Sequence, residues 1–281
     1  MDIVWYPGHM AKAKRALEDM LKRVHVVIEL CDARIPLSSR NPELLELTQN
    51  KPRVLLMNKR DLADRKATDQ WLEYFKSEGE IAYAISADKK GTLRPALPAV
   101  QAAAKEAVDR AAARGIARTV RAMVIGVPNV GKSTLINALL GRSSLEAENR
   151  PGVTRGVKWV KLSPYLELMD SPGMLWPRLD DQEAARRLAY IAAVRDEAID
   201  SYKLCLYLLN DLMDIAPEQT IARYKITETD LRGEALLNHI CQKRGFLMSG
   251  ARPDIDRGVA AVLSDYRDGR IAKLTLEMPP V

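Results

Sequence analysis

The chain has 281 residues, 47% of them hydrophobic and 28% charged, a balance that suits a soluble globular protein with room for one large domain and a smaller one. No apolar run is long enough to span a bilayer, and Cys31, Cys205 and Cys241 are too scattered for a zinc knuckle or a disulfide framework, so buried free thiols are expected. The formal charge of +6 and the isoelectric point near 9.1 point weakly to an anionic partner.

The start, "MDIVWYPGHMAKAKR", has neither a hydrophobic signal core nor an Arg/Ser-rich transit pattern, which makes the cytoplasm the expected location. Residues 10–23 then read as a basic helix. "VHVVIELCDA" (24–33), "RVLLMNK" (53–59) and "IAYAISA" (81–87) are apolar, β-branched-rich runs of the kind buried on both faces of a sheet. Between the last two, "DQWLEYFKSEG" (69–79) has helical spacing and a glycine stop. An Ala-rich helix is expected over 95–114. "TVRAMVIGV" (119–127) is a fourth strand, "STLINALLG" (133–141) the helix after it, and "VKWVKLSPYLELMD" (157–170) two strands around a Ser-Pro turn. Strands alternating with helices predict a mostly parallel sheet covered on both faces. Beyond Trp176 the pattern changes to amphipathic helices such as "EAARRLAYIAAVRDEAI" and "YKLCLYLLNDLM". The expected division is therefore an α/β domain over 1–176 and an all-helical domain over 177–281.

The loops at the strand ends carry the chemistry. "GVPNVGKS" (126–133) matches G-x-x-x-x-G-K-[ST] in full, between a strand and a helix, the context that a phosphate-binding loop needs. Gly126 and Gly131 let the backbone curl so that the amides of Asn129, Val130, Gly131, Lys132, Ser133 and Thr134 surround phosphates. Lys132 can reach the β- and γ-phosphates, and Ser133 can ligand Mg²⁺. "DSPG" (170–173) ends a strand, with Asp170 placed for Mg²⁺ and the Gly173 N–H for the γ-phosphate. "PGVTRG" (151–156) lies between them in a stretch, 150–161, with four basic residues and no acidic one. Thr154 there is expected to ligand Mg²⁺, making the loop a switch. "NKRD" (58–61) reads as a guanine-recognition loop: Asn58 can bond the guanine edge with Lys59 beside it as a further nucleotide-binding residue, and Asp61 accepts from N1–H and the 2-amino group, donors that adenine lacks. "ISA" (85–87) would back the base through Ser86 and Ala87.

These motifs occur in the order base loop, backing loop, phosphate loop, first switch, second switch. The constellation resembles the circularly permuted P-loop GTPases. Termini that lie close in a fold can be joined, and the Ala-rich helix running into the phosphate-loop strand is where the joint falls. "WYPGHMAKAKR", "DARIPLSSRNP" and "PGVTRG" resemble the RbgA/YlqF family of ribosome biogenesis GTPases. The resemblance implies GTP and Mg²⁺ as ligands, a maturing large ribosomal subunit and its rRNA as partner, release on hydrolysis, and a monomer away from the ribosome. A passive RNA-binding scaffold is the competing reading. Asn129 stands where potassium-activated GTPases of similar sequence carry a K⁺ ligand, or it merely shapes the loop. "DARIP" has no assigned role beyond tying the loop after the first strand. Met174 follows the second-switch glycine and cannot orient water. His9 is expected near that switch, where an imidazole could do so; contact with rRNA or capping of its helix are the alternatives.

Overall fold

The structure is a computed structural model that describes residues 15–113, 119–140, 159–163, 166–171, 173, 175, 181–194 and 199–280. His9, Thr154 and Met174 lie outside them, and of Asp170 the backbone alone is described. The elements run α1 (15–21), β1 (Val26–Asp32), α2 (Pro42–Thr48), β2 (Arg53–Asn58), α3 (Arg65–Ser77), β3 (Ile81–Ala84), α4 (Lys90–Leu93), α5 (Ala96–Ala113), β4 (Val120–Gly126), α6 (Lys132–Leu140), β5 (Trp159–Ser163) and β6 (Leu166–Asp170). Then come α7 (Gln182–Tyr190), α8 (Ser201–Ile215), α9 (Pro217–Tyr224), α10 (Gly233–Arg244) and α11 (Ile255–Arg267).

The strands form one sheet in the order β3-β2-β1-β4-β6-β5, parallel except for the edge pair β5 and β6. Renumbered from β4, the same sheet reads 2-3-1-4-5-6 from the antiparallel edge, with the phosphate-loop strand first. The permutation is thus visible in the topology. Helix α5 is the joint, carrying the chain from edge strand β3 back to central β4. That step crosses three strand spacings, about 14 Å, well within the roughly 27 Å of an 18-residue helix. Ala96, Val100 and Ala104 repeat every four residues on its buried side, so small side chains lie against the sheet.

The period-two alternation of β1 divides the core. Val26, Ile28 and Leu30 face the cluster that includes α5, and Val27 faces α1 and α2 through Leu17, Met20, Leu21 and Leu44. Cys31 packs with Trp71 and Phe75 of α3. Glu29 breaks the apolar run without reaching solvent: Arg40 clasps both its oxygens at 2.9 and 2.8 Å. A buried carboxylate is tolerable when paired and hydrogen-bonded in this way.

In the C-terminal region α8 is central, burying Leu204, Leu208 and Leu212 among its neighbours. Helix α7 ends earlier than the pattern "EAARRLAYIAAVRDEAI" predicts. The N–H of Ala193 bonds the Leu188 carbonyl, the N–H of Ala192 bonds that of Ala189, and Ala192 takes φ +59°. This is a Schellman stop, and with no glycine to announce it the sequence pattern runs on past it. After α11, residues 268–280 carry no helix. They return across the α/β domain, where Leu274 N–H bonds the Leu62 carbonyl and Leu276 N–H that of Arg34. Glu277 accepts from the backbone of Leu37 and Ser38, and its carbonyl takes the Trp71 indole N–H. Cys31, Cys205 and Cys241 are buried free thiols. Among the described residues no helix is long and apolar enough to cross a membrane.

Candidate nucleotide-binding site

Parallel strands place their C-terminal ends on one edge, where open α/β sheets bind ligands. Here β2 delivers 58–61, β3 delivers 85–87, β4 delivers the phosphate loop, and β6 delivers Asp170, whose backbone pairs in register with Val124 of β4. The first three of these loops are braced to one another by side chains. Asn58 Nδ2 donates to the Val130 carbonyl at 2.7 Å, and Asn58 Oδ1 accepts from the Ala87 N–H at 2.9 Å. One buried amide therefore joins the base loop, the backing loop and the phosphate loop. In this geometry the Ala87 N–H of the backing loop is bonded to Asn58.

Lys59 spans a second gap. Its ammonium donates to the Asn129 carbonyl at 2.9 Å and pairs with Asp32 at 3.2 Å. Asp61 receives the Ser86 hydroxyl on one oxygen and the Lys89 ammonium on the other, both at 2.9 Å. Partial burial would raise the Asp61 carboxyl, but those two donors outweigh it and hold the group below its ordinary value. Asp61 is therefore an ionised, acceptor-only group at neutral pH. Thr92 fixes the backing loop, accepting from Ser86 N–H at 3.0 Å.

In the phosphate loop the Lys132 ammonium lies against the Val127 and Gly126 carbonyls at 2.9 and 3.2 Å. Ser133 follows it in the first turn of α6, whose N-terminal amides favour an anion. Gly173 approaches closely: a Cβ there would lie 2.8 Å from Lys132 Nζ and from the Pro128 backbone. The backbone at Gly173 thus reaches the phosphate loop at a point where only glycine fits. The Ser171 hydroxyl anchors that segment by donating to the Val124 carbonyl at 2.6 Å. Glycine-lined space, an ammonium and a helix start suit a magnesium nucleotide. Asn129 donates from Nδ2 to the Ala192 carbonyl at 2.6 Å, which joins the phosphate loop to the turn after α7.

The residues that the sequence reading left unassigned are Asp32 and Arg34. Both are buried and joined through two side-chain bonds, Nε to Oδ1 at 3.0 Å and Nη2 to Oδ2 at 2.9 Å. Burial alone would raise the Asp32 carboxyl; Arg34 and Lys59 hold it well below the usual carboxylate range. The third nitrogen of Arg34 donates to the Tyr266 and Arg267 carbonyls at 3.3 and 3.1 Å. "DARIP" marked these residues, but backbone carbonyls more than 200 positions away leave no sequence signal.

Comparison with known proteins agrees with this geometry. The family model described as 50S ribosome-binding GTPase matches residues 121–243. That match begins in β4, so it takes in the phosphate loop and leaves 58–61 ahead of it. The ribosome biogenesis GTPase A of Bacillus cereus is 41% identical over 280 residues, covering 99% of this chain and 95% of the relative. That of Thermotoga maritima is 30% identical over 275 residues, covering 98% and 94%. A mitochondrial ribosome-associated GTPase 1 from Xenopus tropicalis is 34% identical over 252 residues, covering 86% and 80%. The structure of GNP-bound YlqF from T. maritima superposes with a TM-score of 0.66 at 26% identity, covering 95% of this chain and 98% of that one.

Proposed function

The chain belongs to the ribosome biogenesis GTPase A family, GTPases that act in ribosome assembly, and we propose that it times a step in maturation of the large ribosomal subunit by hydrolysing GTP. The observation that carries this reading is the cross-brace of Asn58 and Lys59, which ties the loop assigned to the base to the loop assigned to the phosphates. In the proposal Asp61 selects guanine, with Ser86 and Ala87 holding the loop behind the base. Lys132 and the loop amides hold the phosphates, and the Gly173 N–H meets the γ-phosphate. Mg²⁺, when bound, neutralises charge on the transferred group; Ser133, Thr154 and Asp170 are the residues assigned to hold it. The working division is a GTPase domain over 1–176 and a helical region over 177–281, whose basic faces contact rRNA phosphates. The protein acts in the cytoplasm, as a monomer away from the ribosome, and the subunit stimulates its turnover.

Sedimentation with large-subunit precursors tests this. The full chain is expected to co-sediment with a non-hydrolysable GTP analogue and to be released with GDP. Association indifferent to the nucleotide would instead favour a passive RNA-binding scaffold.

We assign a K⁺ ion to Asn129. Its Nδ2 is committed to Ala192, so the amide oxygen is the atom available to a cation. Hydrolysis in KCl is expected to exceed that in NaCl by about tenfold or more, a difference of roughly 1.4 kcal/mol in barrier, and Asn129→Ala should erase the difference. Equal rates for the wild type in the two salts would remove the ion.

A further inference from the structure

We propose that Asp32 and Arg34 are positioning residues for nucleotide reading, members of a closed ring of polar contacts through which the C-terminal helices set the geometry of both Lys59 and Asn129. The inference rests on the guanine-nucleotide reading above and concerns how that same site is held in shape.

The ring can be followed bond by bond. Asp32 pairs with Arg34, whose Nη1 donates to the carbonyls of Tyr266 and Arg267 at the end of α11. The Arg267 side chain donates to the carbonyls of Tyr190 and Ala189 at the end of α7, at 3.1 and 3.3 Å. Three residues after Ala189, the Ala192 carbonyl accepts from Asn129 at 2.6 Å. The Asn129 carbonyl accepts from Lys59, and Lys59 returns to Asp32. Two helix ends are thus fastened to the base loop and the phosphate loop by a route independent of the second switch.

Three features separate this arrangement from ordinary core support. The first is strain. Five non-glycine residues have positive φ among the described ones, and Lys59, Asn129 and Ala192 are three of them, at 60°, 57° and 59°. Strained backbone persists where surrounding contacts over-determine it, and it clusters at functional sites. The second is chemistry. Replacing a buried ion pair with apolar side chains of similar volume is often neutral or stabilising, so fold support alone does not call for Asp32 and Arg34. A pair that must also grip Lys59 and two carbonyls cannot be apolar. The third is position. Apart from the Asp32–Arg34 pair itself, each contact ends on a proposed nucleotide-reading loop or on a helix terminus, whose last carbonyls have no partner within the helix.

The test is a double-mutant cycle on the full chain, read by binding of a fluorescent N-methylanthraniloyl GDP. Asp32→Asn and Arg267→Met are each expected to lower affinity by about tenfold. The double variant should lose about tenfold as well, because a ring opened once transmits nothing more; coupling of this size is the mark of residues acting through one network. Arg223→Met is the control, since Arg223 pairs with Asp265 within the helical region at 2.9 and 2.7 Å. It should lower the melting temperature and leave affinity within about twofold. A double variant near the product of the single losses would overturn the ring, as would Arg267→Met with unchanged affinity. A loss in Arg223→Met equal to that in Arg267→Met would also overturn it, by assigning the effect to general loosening. If Asp32→Asn does not fold, the comparison of Arg267→Met with Arg223→Met decides alone. Wild type that binds no labelled GDP would refute the nucleotide reading itself, a result distinct from all of these.

Discussion

Gly131→Ala is expected to lower guanine-nucleotide affinity by about a thousandfold. Gly131 has φ +105°, a conformation that side-chain-bearing residues rarely adopt, and an added Cβ would lie 2.3 Å from Asn58 Nδ2. Asn58 cannot swing aside freely, because it is buried and its amide holds both the Val130 carbonyl and the Ala87 N–H. The variant relieves the clash either by reshaping the phosphate loop or by breaking the brace. Binding then has to restore the wild-type geometry against a backbone penalty of about 1–3 kcal/mol and two hydrogen bonds of about 1 kcal/mol each. A total near 4 kcal/mol corresponds to about three decades in affinity. Gly91→Ala is the matched control: it lies in α4, and nothing stands within 4 Å of its added Cβ. Its affinity should stay within about twofold of wild type, since the added methyl meets no neighbour and leaves the Thr92 and Lys89 bonds in place. Titration of both variants with GDP checks this, and a Gly131→Ala protein that binds as the wild type does would show that the brace does not shape the loop.

The same brace explains what could be read from the sequence. A phosphate loop is legible because its geometry depends on glycines and a lysine at fixed spacing within eight residues. The strand ends were legible because β1, β2 and β4 are apolar runs bounded by those loops. The permuted order followed from the motif order alone, and α5 from its alanines. What the sequence concealed depends on contacts distant along the chain. Asn58 reads as a base contact, and its amide also bonds Val130 and Ala87, 72 and 29 residues away. Arg34 reaches carbonyls of α11, and a carbonyl belongs to every residue type, so composition cannot mark it. The stop of α7 at Ala192 escaped for a related reason. A left-handed position filled by alanine rather than glycine is imposed by surroundings, in this case a carbonyl presented to Asn129. The segment 268–280 is held by backbone bonds to Leu62 and Arg34, which no side-chain periodicity predicts.

Asp61→Asn is expected to exchange guanine for xanthine as the preferred base. The wild-type carboxylate is ionised and offers only acceptors, which suits a base edge with two adjacent donors. Hydrogen bonds to a charged group contribute about 1.5–3 kcal/mol each, so losing this acceptor should cost GTP about a hundredfold or more in affinity. The asparagine amide presents a donor instead, and a 2-oxo purine supplies the matching acceptor. The exchange is expected to leave the fold intact. Asp61 is partly exposed, its partner Lys89 is more than half exposed, and such surface pairs contribute about 0–1 kcal/mol. The Ser86 hydroxyl can still donate to the remaining amide oxygen, so the backing loop keeps its anchor at 61. Competition binding with GDP and XDP, alongside a thermal melt, separates the two effects. A lowered melting temperature with guanine preference retained would mean that Asp61 only supports its loop. Near-normal melting with the preference reversed is the expected result, and it would assign base selection in this permuted site to a residue that precedes the phosphate loop in the chain by about seventy positions, counted from Asp61 to Asn129.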